Sequence, residues 1–337
     1  MSKKKLAIGL AAGMATIALS VGASPAFAAI DFDSATWLVG GVNYQFEGDN
    51  SGDSYGGAYE LTTPTQSNYE LGYEEFYFDA GDLSGGWYYP MCEGSTATES
   101  TEANGDVLIT CDPYSINGSD LWATNTYRLF ADQKLYRHVL NLENKGTSAI
   151  NLDAASLGNG FYFYVSNYDK TASSSDPTSC DSMTAEDHWA MTSANSDSVI
   201  NGYAWQAAGG TAFTSAGEDC SDDDFYAFLT KDSFAPGEQA NYMSLIATSE
   251  PAGTSTGDMD TAFAAALAQM PAFDSLNDTF CRGIDGLVIE GWGTCVASLP
   301  DTGANSAVMG SSIAIGSGLL IAGALALVMV RRRQARN

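Results

Sequence analysis

Between residues 30 and 296, apolar and polar positions alternate in short runs separated by Gly, Pro, Asn and Asp. The dominant period is two, that of a strand with one buried face. "TWLVGGV" (36–42), "YEEFYF" (73–78), "DVLITC" (106–111) and "LWATNTYRLFA" (121–131) are rich in β-branched and aromatic residues and predict strands. In "KLYRHVLNLENKGTSAINLD" (134–153), Tyr136, His138, Leu140 and Leu142 fall on one face, and Glu143 to Gly146 read as the turn of a hairpin. "FAPGEQANYMSLIAT" (234–248) places a Pro-Gly turn at 236–237 before another long strand. Only "DMDTAFAAALAQMP" (258–271) has a helical pattern, with Asp258 or Asp260 as cap and Pro271 just past its end. The expected fold is all-β: a large antiparallel β-sandwich over 29–298 with one accessory helix.

The two ends break this pattern. Residues 6–21 are apolar and follow Lys3, Lys4 and Lys5, and Ala26-Phe27-Ala28 offers small residues where a signal peptidase cuts. A signal peptide over 1–28 follows. Residues 307–330 carry no charge and, as a helix, would rise about 36 Å, enough for a bilayer core. The tail 331–337 holds Arg331, Arg332, Arg333 and Arg336, which keeps it cytoplasmic and places the bulk of the chain outside. The sequence thus predicts a C-terminal transmembrane helix in an exported precursor.

Just before that span stands "LPDTG": Leu299, Pro300, Asp301, Thr302 and Gly303. Pro300 fixes its own φ and biases Leu299 toward extended backbone, while Gly303 allows close approach. The order of Leu-Pro-any-Thr-Gly, apolar span and basic tail resembles the cell-wall sorting signal of Gram-positive LPXTG surface proteins. The resemblance implies that a sortase cuts Thr302–Gly303 and joins Thr302 to peptidoglycan, so that the protein meets the membrane only before sorting. Residues 136–205 also resemble surface proteins of actinobacteria, through "YRHVLNLENKG", "LGNGFYFYV" and "DHWAM", a likeness that implies no activity.

Charge narrows the partners. All 41 Asp and Glu lie between Ile30 and Thr302, against seven basic residues there (Lys134, Lys145, Lys170, Lys231, Arg128, Arg137 and Arg282), a balance of −34. Such a surface opposes nucleic acid and anionic lipid. The six cysteines, Cys92, Cys111, Cys180, Cys220, Cys281 and Cys295, all fall in the exported part, where disulfides form. Neighbour pairing (92–111, 180–220, 281–295) closes three modest loops and is the expected connectivity among fifteen. Zinc is the competing use, but no C-x₂-C spacing occurs and only two histidines are present.

Chemistry is sparse. No G-x-S-x-G, H-E-x-x-H or phosphate loop occurs. His138 reads as a packed or hydrogen-bonded strand residue, and His188 as a loop residue rather than a base. Carboxylate pairs such as Glu74-Glu75 discriminate nothing in so acidic a chain. Ca²⁺ is the one cofactor the acids suit: Asp49, Ser51 and Asp53 alternate around Gly52, and Glu218, Asp219, Asp222, Asp223 and Asp224 crowd a cysteine. A plain acidic loop is the alternative at both places. Trp87, Tyr88 and Tyr89, with Trp189 as a second element, could form a platform for a sugar, or fill the core as large aromatics usually do. The sequence reading is therefore a non-catalytic, wall-anchored interaction or adhesion module for a glycan or protein, with a structural surface-coat component and an extracellular polysaccharide hydrolase as alternatives.

Overall fold

A computed structural model of the chain describes residues 28–31, 35–47, 57–62, 74–77, 92, 96–152, 160–164, 170–178, 183–194, 199–216, 224–249 and 255–296. The N-terminal part holds β1 (Ala28–Asp31), β2 (Thr36–Val39), β3 (Val42–Glu47), β4 (Gly57–Thr62), β5 (Glu74–Tyr77), β6 (Thr96–Thr101) and β7 (Val107–Cys111). The middle holds β8 (Tyr114–Ser115), β9 (Leu121–Leu129), β10 (Leu135–Asn144), β11 (Ile150–Asn151), β12 (Gly160–Tyr164), β13 (Lys170–Ser173), β14 (Trp189–Ala194) and β15 (Val199–Ala204). Then come β16 (Phe213–Ala216), β17 (Asp224–Leu229), β18 (Ser233–Phe234), β19 (Gln239–Ser249), the helix α1 (Thr256–Leu267), and the short strands β20 (Val288–Ile289) and β21 (Gly293–Thr294). Every strand pair is antiparallel, and the all-β expectation with one α-helix holds among the described residues.

A ten-stranded sheet forms the backbone of the fold, in the order β1-β6-β7-β9-β10-β19-β15-β14-β13, with β8 beside β9. One of its faces is covered by a second β layer made of the four-stranded sheet β16-β17-β12-β5 and the three-stranded sheet β2-β3-β4. Rings meet across that interface: Tyr44 with Tyr136, Phe76 with Tyr242 and Phe163 with Tyr203, at 5.4–6.1 Å between centroids. As expected, Tyr136, His138, Leu140 and Leu142 share this face.

The opposite face is buried too. Met259 and Phe263 of α1, and Met270, Phe273, Phe280, Ile289 and Trp292 from the irregular segment after it, pack on Val139, Met191, Ile200, Met243 and Leu245. Trp292 donates its indole N–H to the carbonyl of Met243 at 3.0 Å. Because both faces are covered, β10 and β19 are buried almost continuously rather than on alternate residues.

Three expectations need correction. "TWLVGGV" is two strands, because Gly40 and Gly41 both take positive φ (61° and 84°) and turn β2 back onto β3. At Gly40 a Cβ would lie 2.8 Å from the carbonyls of Phe130 and Gln133, so that turn tolerates no side chain. No hairpin forms at 143–146. β10 already has β9 and β19 as neighbours, so its continuation has no edge left, and β11 pairs with β18 instead. Asn144 fixes this exit by donating to the carbonyls of Ser148 and Phe234 and accepting from the Gly146 N–H. Finally, Ser255 caps α1. Asp258, expected as a cap, completes a capping box from three residues inside.

No helix among the described residues is long and apolar enough to cross a membrane. The transmembrane span 307–330, the basic tail 331–337, the motif 299–303 and all of the signal peptide except Ala28 lie outside the described residues.

Candidate functional site

Among the described residues, a buried carboxylate cluster and an open cleft are set inside this framework. The first is sealed between the β layers. Glu74, brought by β5, lies against the centre of the large sheet and is 3% exposed. Its carboxylate accepts from the Tyr136 hydroxyl at 2.6 Å, from the Ser244 hydroxyl, and faces His138 Nδ1 at 3.1 Å. The other ring nitrogen of His138 lies 2.8 Å from Asn125 Oδ1, and Tyr127 stacks on the imidazole at 4.5 Å. Burial, then the Glu74 charge, pushes the Tyr127 and Tyr136 phenols well above their ordinary range, so both hydroxyls keep their protons. The cluster joins β5, β10 and β19 through one carboxylate, and β9 through His138. Its closure against solvent makes it a bolt between layers.

The second place is open. Where β10, β15 and β19 meet the end of α1, a cleft of about 830 Å³ separates the sheet from the segment after the helix. Met191, Ile200, Met270 and Phe273 make its apolar floor, and Lys134, Gln269 and Asp278 stand on its rim. Gly202 permits this packing: a Cβ there would come 2.7 Å from the sulfur of Met270. The Thr248 hydroxyl, also on the cleft, is buried and has no hydrogen-bond partner among the described residues. The 3-10 turn Met270–Asp274, with Pro271 at its start, is held from below by Asp274. That carboxylate accepts from the Trp189 indole at 3.2 Å and contacts His188 Nε2 at 2.9 Å.

These contacts locate the residues expected from sequence. Trp189 is no sugar platform: it is 5% exposed, packed under the α1 segment with its N–H engaged. His188 is a loop residue that holds the 3-10 turn. Trp87, Tyr88 and Tyr89 lie outside the described residues, as do Asp49, Ser51, Asp53, Glu218, Asp219, Asp222 and Asp223; only the backbone of Asp224 is described, opening β17. No group of three or more His, Cys, Asp or Glu poised for a metal occurs among the described residues. Cys92–Cys111 and Cys281–Cys295 are disulfides as expected, each with Cα atoms 5.2 Å apart, and Cys180 and Cys220 lie outside. The second bridge staples the segment that walls the cleft. Neither Glu74 nor the cleft was singled out by sequence. Gly202, opposite Met270, is the local signal that a second layer presses on that face.

No protein-family model matches the chain, and no curated protein matches it in sequence. Among solved structures it is similar to the GH36 alpha-galactosidase AgaA from Geobacillus stearothermophilus, at 11% identity and a TM-score of 0.39, over 64% of this chain and 40% of that one. A galactose mutarotase-like protein from Clostridium acetobutylicum is similar at 8% identity and a TM-score of 0.37, over 67% of this chain and 99% of that one. The chain spans about 40% of the galactosidase's length. Likeness at these scores transfers neither fold nor activity.

Proposed function

We propose that this chain is a sortase-anchored wall protein whose β domain is a non-catalytic binding module, with the cleft between sheet and α1 segment as its ligand site. The cleft itself is the observation that carries the reading. An apolar floor of about the volume of a ligand pocket, ringed by a few polar groups on a disulfide-stapled framework, is the usual make-up of a binding site. Of the two ligand classes, a protein segment fits better than a glycan. The Phe273 and Phe280 rings are buried and stacked on each other at 5.1 Å, so neither offers a free face to a pyranose. Methionines 191 and 270 adapt to an apolar side chain. The sorting signal read from the sequence, the export signal and the disulfides support a place on the wall.

Ala272, exposed at the cleft, gives the test. Wall-released protein should bind members of a peptide array, and Ala272→Trp should lose that binding while its melting temperature holds. Equal binding by both proteins, or turnover of a polysaccharide by the parent, overturns the reading. Thr302→Ala should move the protein from the wall to the membrane fraction; unchanged wall attachment overturns the anchoring half.

A further inference from the structure

Under the α1 segment lies a group of charges that neither the cleft nor the Glu74 bolt uses. Arg128 on β9 and Arg137 on β10 are direct cross-strand partners, and both side chains point to the covered face. Like charges in register repel. Here they do so at 1% and 0% exposure, where water cannot screen them. Arg282 joins from the disulfide loop, and all three guanidiniums surround the buried Phe130 ring, at 5.2 Å for Arg282, 5.9 Å for Arg137 and 6.0 Å for Arg128.

The carboxylates are distributed unevenly. Glu102 takes Arg128 in a two-pronged pair at 2.7 and 2.8 Å. Asp106 takes Arg128 and Arg282 through one oxygen, at 2.8 and 2.9 Å, and the Ala131 N–H through the other. Asp132, largely exposed, pairs with Arg282. No carboxylate among the described residues touches Arg137. Its Nη1 donates to the carbonyls of Phe280 and Arg282, which spends both hydrogens of that nitrogen. Arg137 Nε and Nη2, and Arg128 Nε, are buried with no acceptor among the described residues. Four N–H hydrogens of two buried cross-strand cations are therefore left without partners among the described residues. Burial, then the Arg128 charge beside it, presses the Arg137 guanidinium down to about 9 against the opposing pull of the Asp106 and Glu102 carboxylates, neither of which touches it.

We propose that Arg137 and Arg128 bind a small monovalent anion of the halide class between the large sheet and the α1 segment, as a structural counter-ion. A monovalent anion accepts from Nε–H and the adjoining Nη2–H of one guanidinium at once and adds the negative charge beside Arg137 that a water molecule does not. The site is built from sequence-distant pieces: β9, β10 and the loop of the Cys281–Cys295 bridge. Gly283 belongs to it as well, since a Cβ there would lie 2.3 Å from Arg128 Nη2.

The test uses the full exported protein and chloride as probe. At fixed ionic strength, replacing gluconate by chloride from ~5 to ~500 mM should raise the melting temperature by about 3 °C, as expected for a site that binds only the folded state. Arg137→Met keeps the stem and removes the charge, and its melting temperature should not respond to the anion. Crystals of the parent grown in bromide should show one anomalous peak in contact with Arg137, and this readout stands even where the variant fails to fold. Melting that is identical in chloride and gluconate, or a bromide map empty at Arg137, overturns the proposal and leaves water as the partner of these groups.

Discussion

Glu74→Gln is the sharpest test of the bolt between the β layers. The substitution preserves shape but exchanges one carboxylate oxygen for an amide NH₂. In the parent, both oxygens are in use: Oε2 receives Tyr136, and Oε1 receives Ser244 and faces His138. Whichever way the amide turns, its NH₂ meets a hydroxyl that now donates to the carboxylate, and that hydroxyl must turn to accept and give up its own charge-assisted bond. The cost joins a lost charge-assisted hydrogen bond, about 1.5–3 kcal/mol, to a buried group left unpaired, about 1–3 kcal/mol. A total of roughly 3–5 kcal/mol would consume much of the ~5–15 kcal/mol that keeps a domain folded. Urea unfolding of the exported protein should show the midpoint moving down with an unchanged slope. Tyr136→Phe should cost less alone, and in the double variant the two losses should fall short of their sum by about 1–2 kcal/mol, since the phenol is then no longer left facing the amide. A Glu74→Gln midpoint within error of the parent, or strict additivity, would refute the assignment of Glu74 as the shared acceptor.

Two further outcomes concern the disulfide-stapled segment and the loop before β14. Replacing Cys281 and Cys295 by Ser opens a loop of sequence separation 14 and should cost about 3 kcal/mol, with hydrogen-exchange protection falling in α1 and the Met270–Asp274 turn before the central strands; uniform loss would count against a separately stapled layer. Asp187 is buried, which pushes its carboxyl up. The N–H groups of Thr184 and Ser175 and the hydroxyls of Ser174 and Ser175 outweigh that and hold it below the ordinary carboxylate range. A depressed folded value contributes stability above the unfolded value near ~3.9 that is lost as pH falls through the folded one, so Asp187→Asn should flatten the acid limb of a stability–pH curve below about pH 4. An acid limb as steep in the variant as in the parent would place the titration elsewhere.

The strands that the sequence revealed are those whose pattern is local. β7, β9, β10 and β19 have apolar or aromatic residues at a spacing that needs no knowledge of their neighbours, and the Pro-Gly turn before β19 is equally self-contained. Pairing is not local. Residues 143–146 look like a hairpin turn, yet whether β10 folds back depends on whether its edges are free, and β19, almost a hundred residues later, has taken one. The same reasoning explains Arg128 and Arg137. On strands read as half-buried, charged residues opposite the core face are expected to meet solvent, and only the irregular segment around 270–296 puts them inside. That segment has no periodicity to read. Its signature in the sequence was the pair Cys281 and Cys295, which marks a closed loop but not what the loop covers. Glu74 was invisible for a different reason: among 41 acids, nothing distinguishes the one that lies inward.

The position of the cleft along the chain has a consequence for how the protein can work on a wall. The last described residue, Val296, follows the stapled Cys295, and the proposed attachment point, Thr302, is six residues further on. A chain spans at most about 3.6 Å per residue, so Val296, at the end of the disulfide-stapled segment, would stand within roughly 20 Å of Thr302. A module held so close meets ligands that reach the wall itself rather than a distant surface, which suits a soluble protein segment. The expectation is that an antibody fragment against the exposed side of α1 labels intact cells weakly. Inserting a ~40-residue Gly/Ser spacer after Val296 adds a mean span of about 35 Å and should restore labelling to the level seen with enzymatically released protein. Equal labelling of parent and spacer cells would mean that the cleft already stands clear of the wall, and the wall-proximal reading would have to be given up.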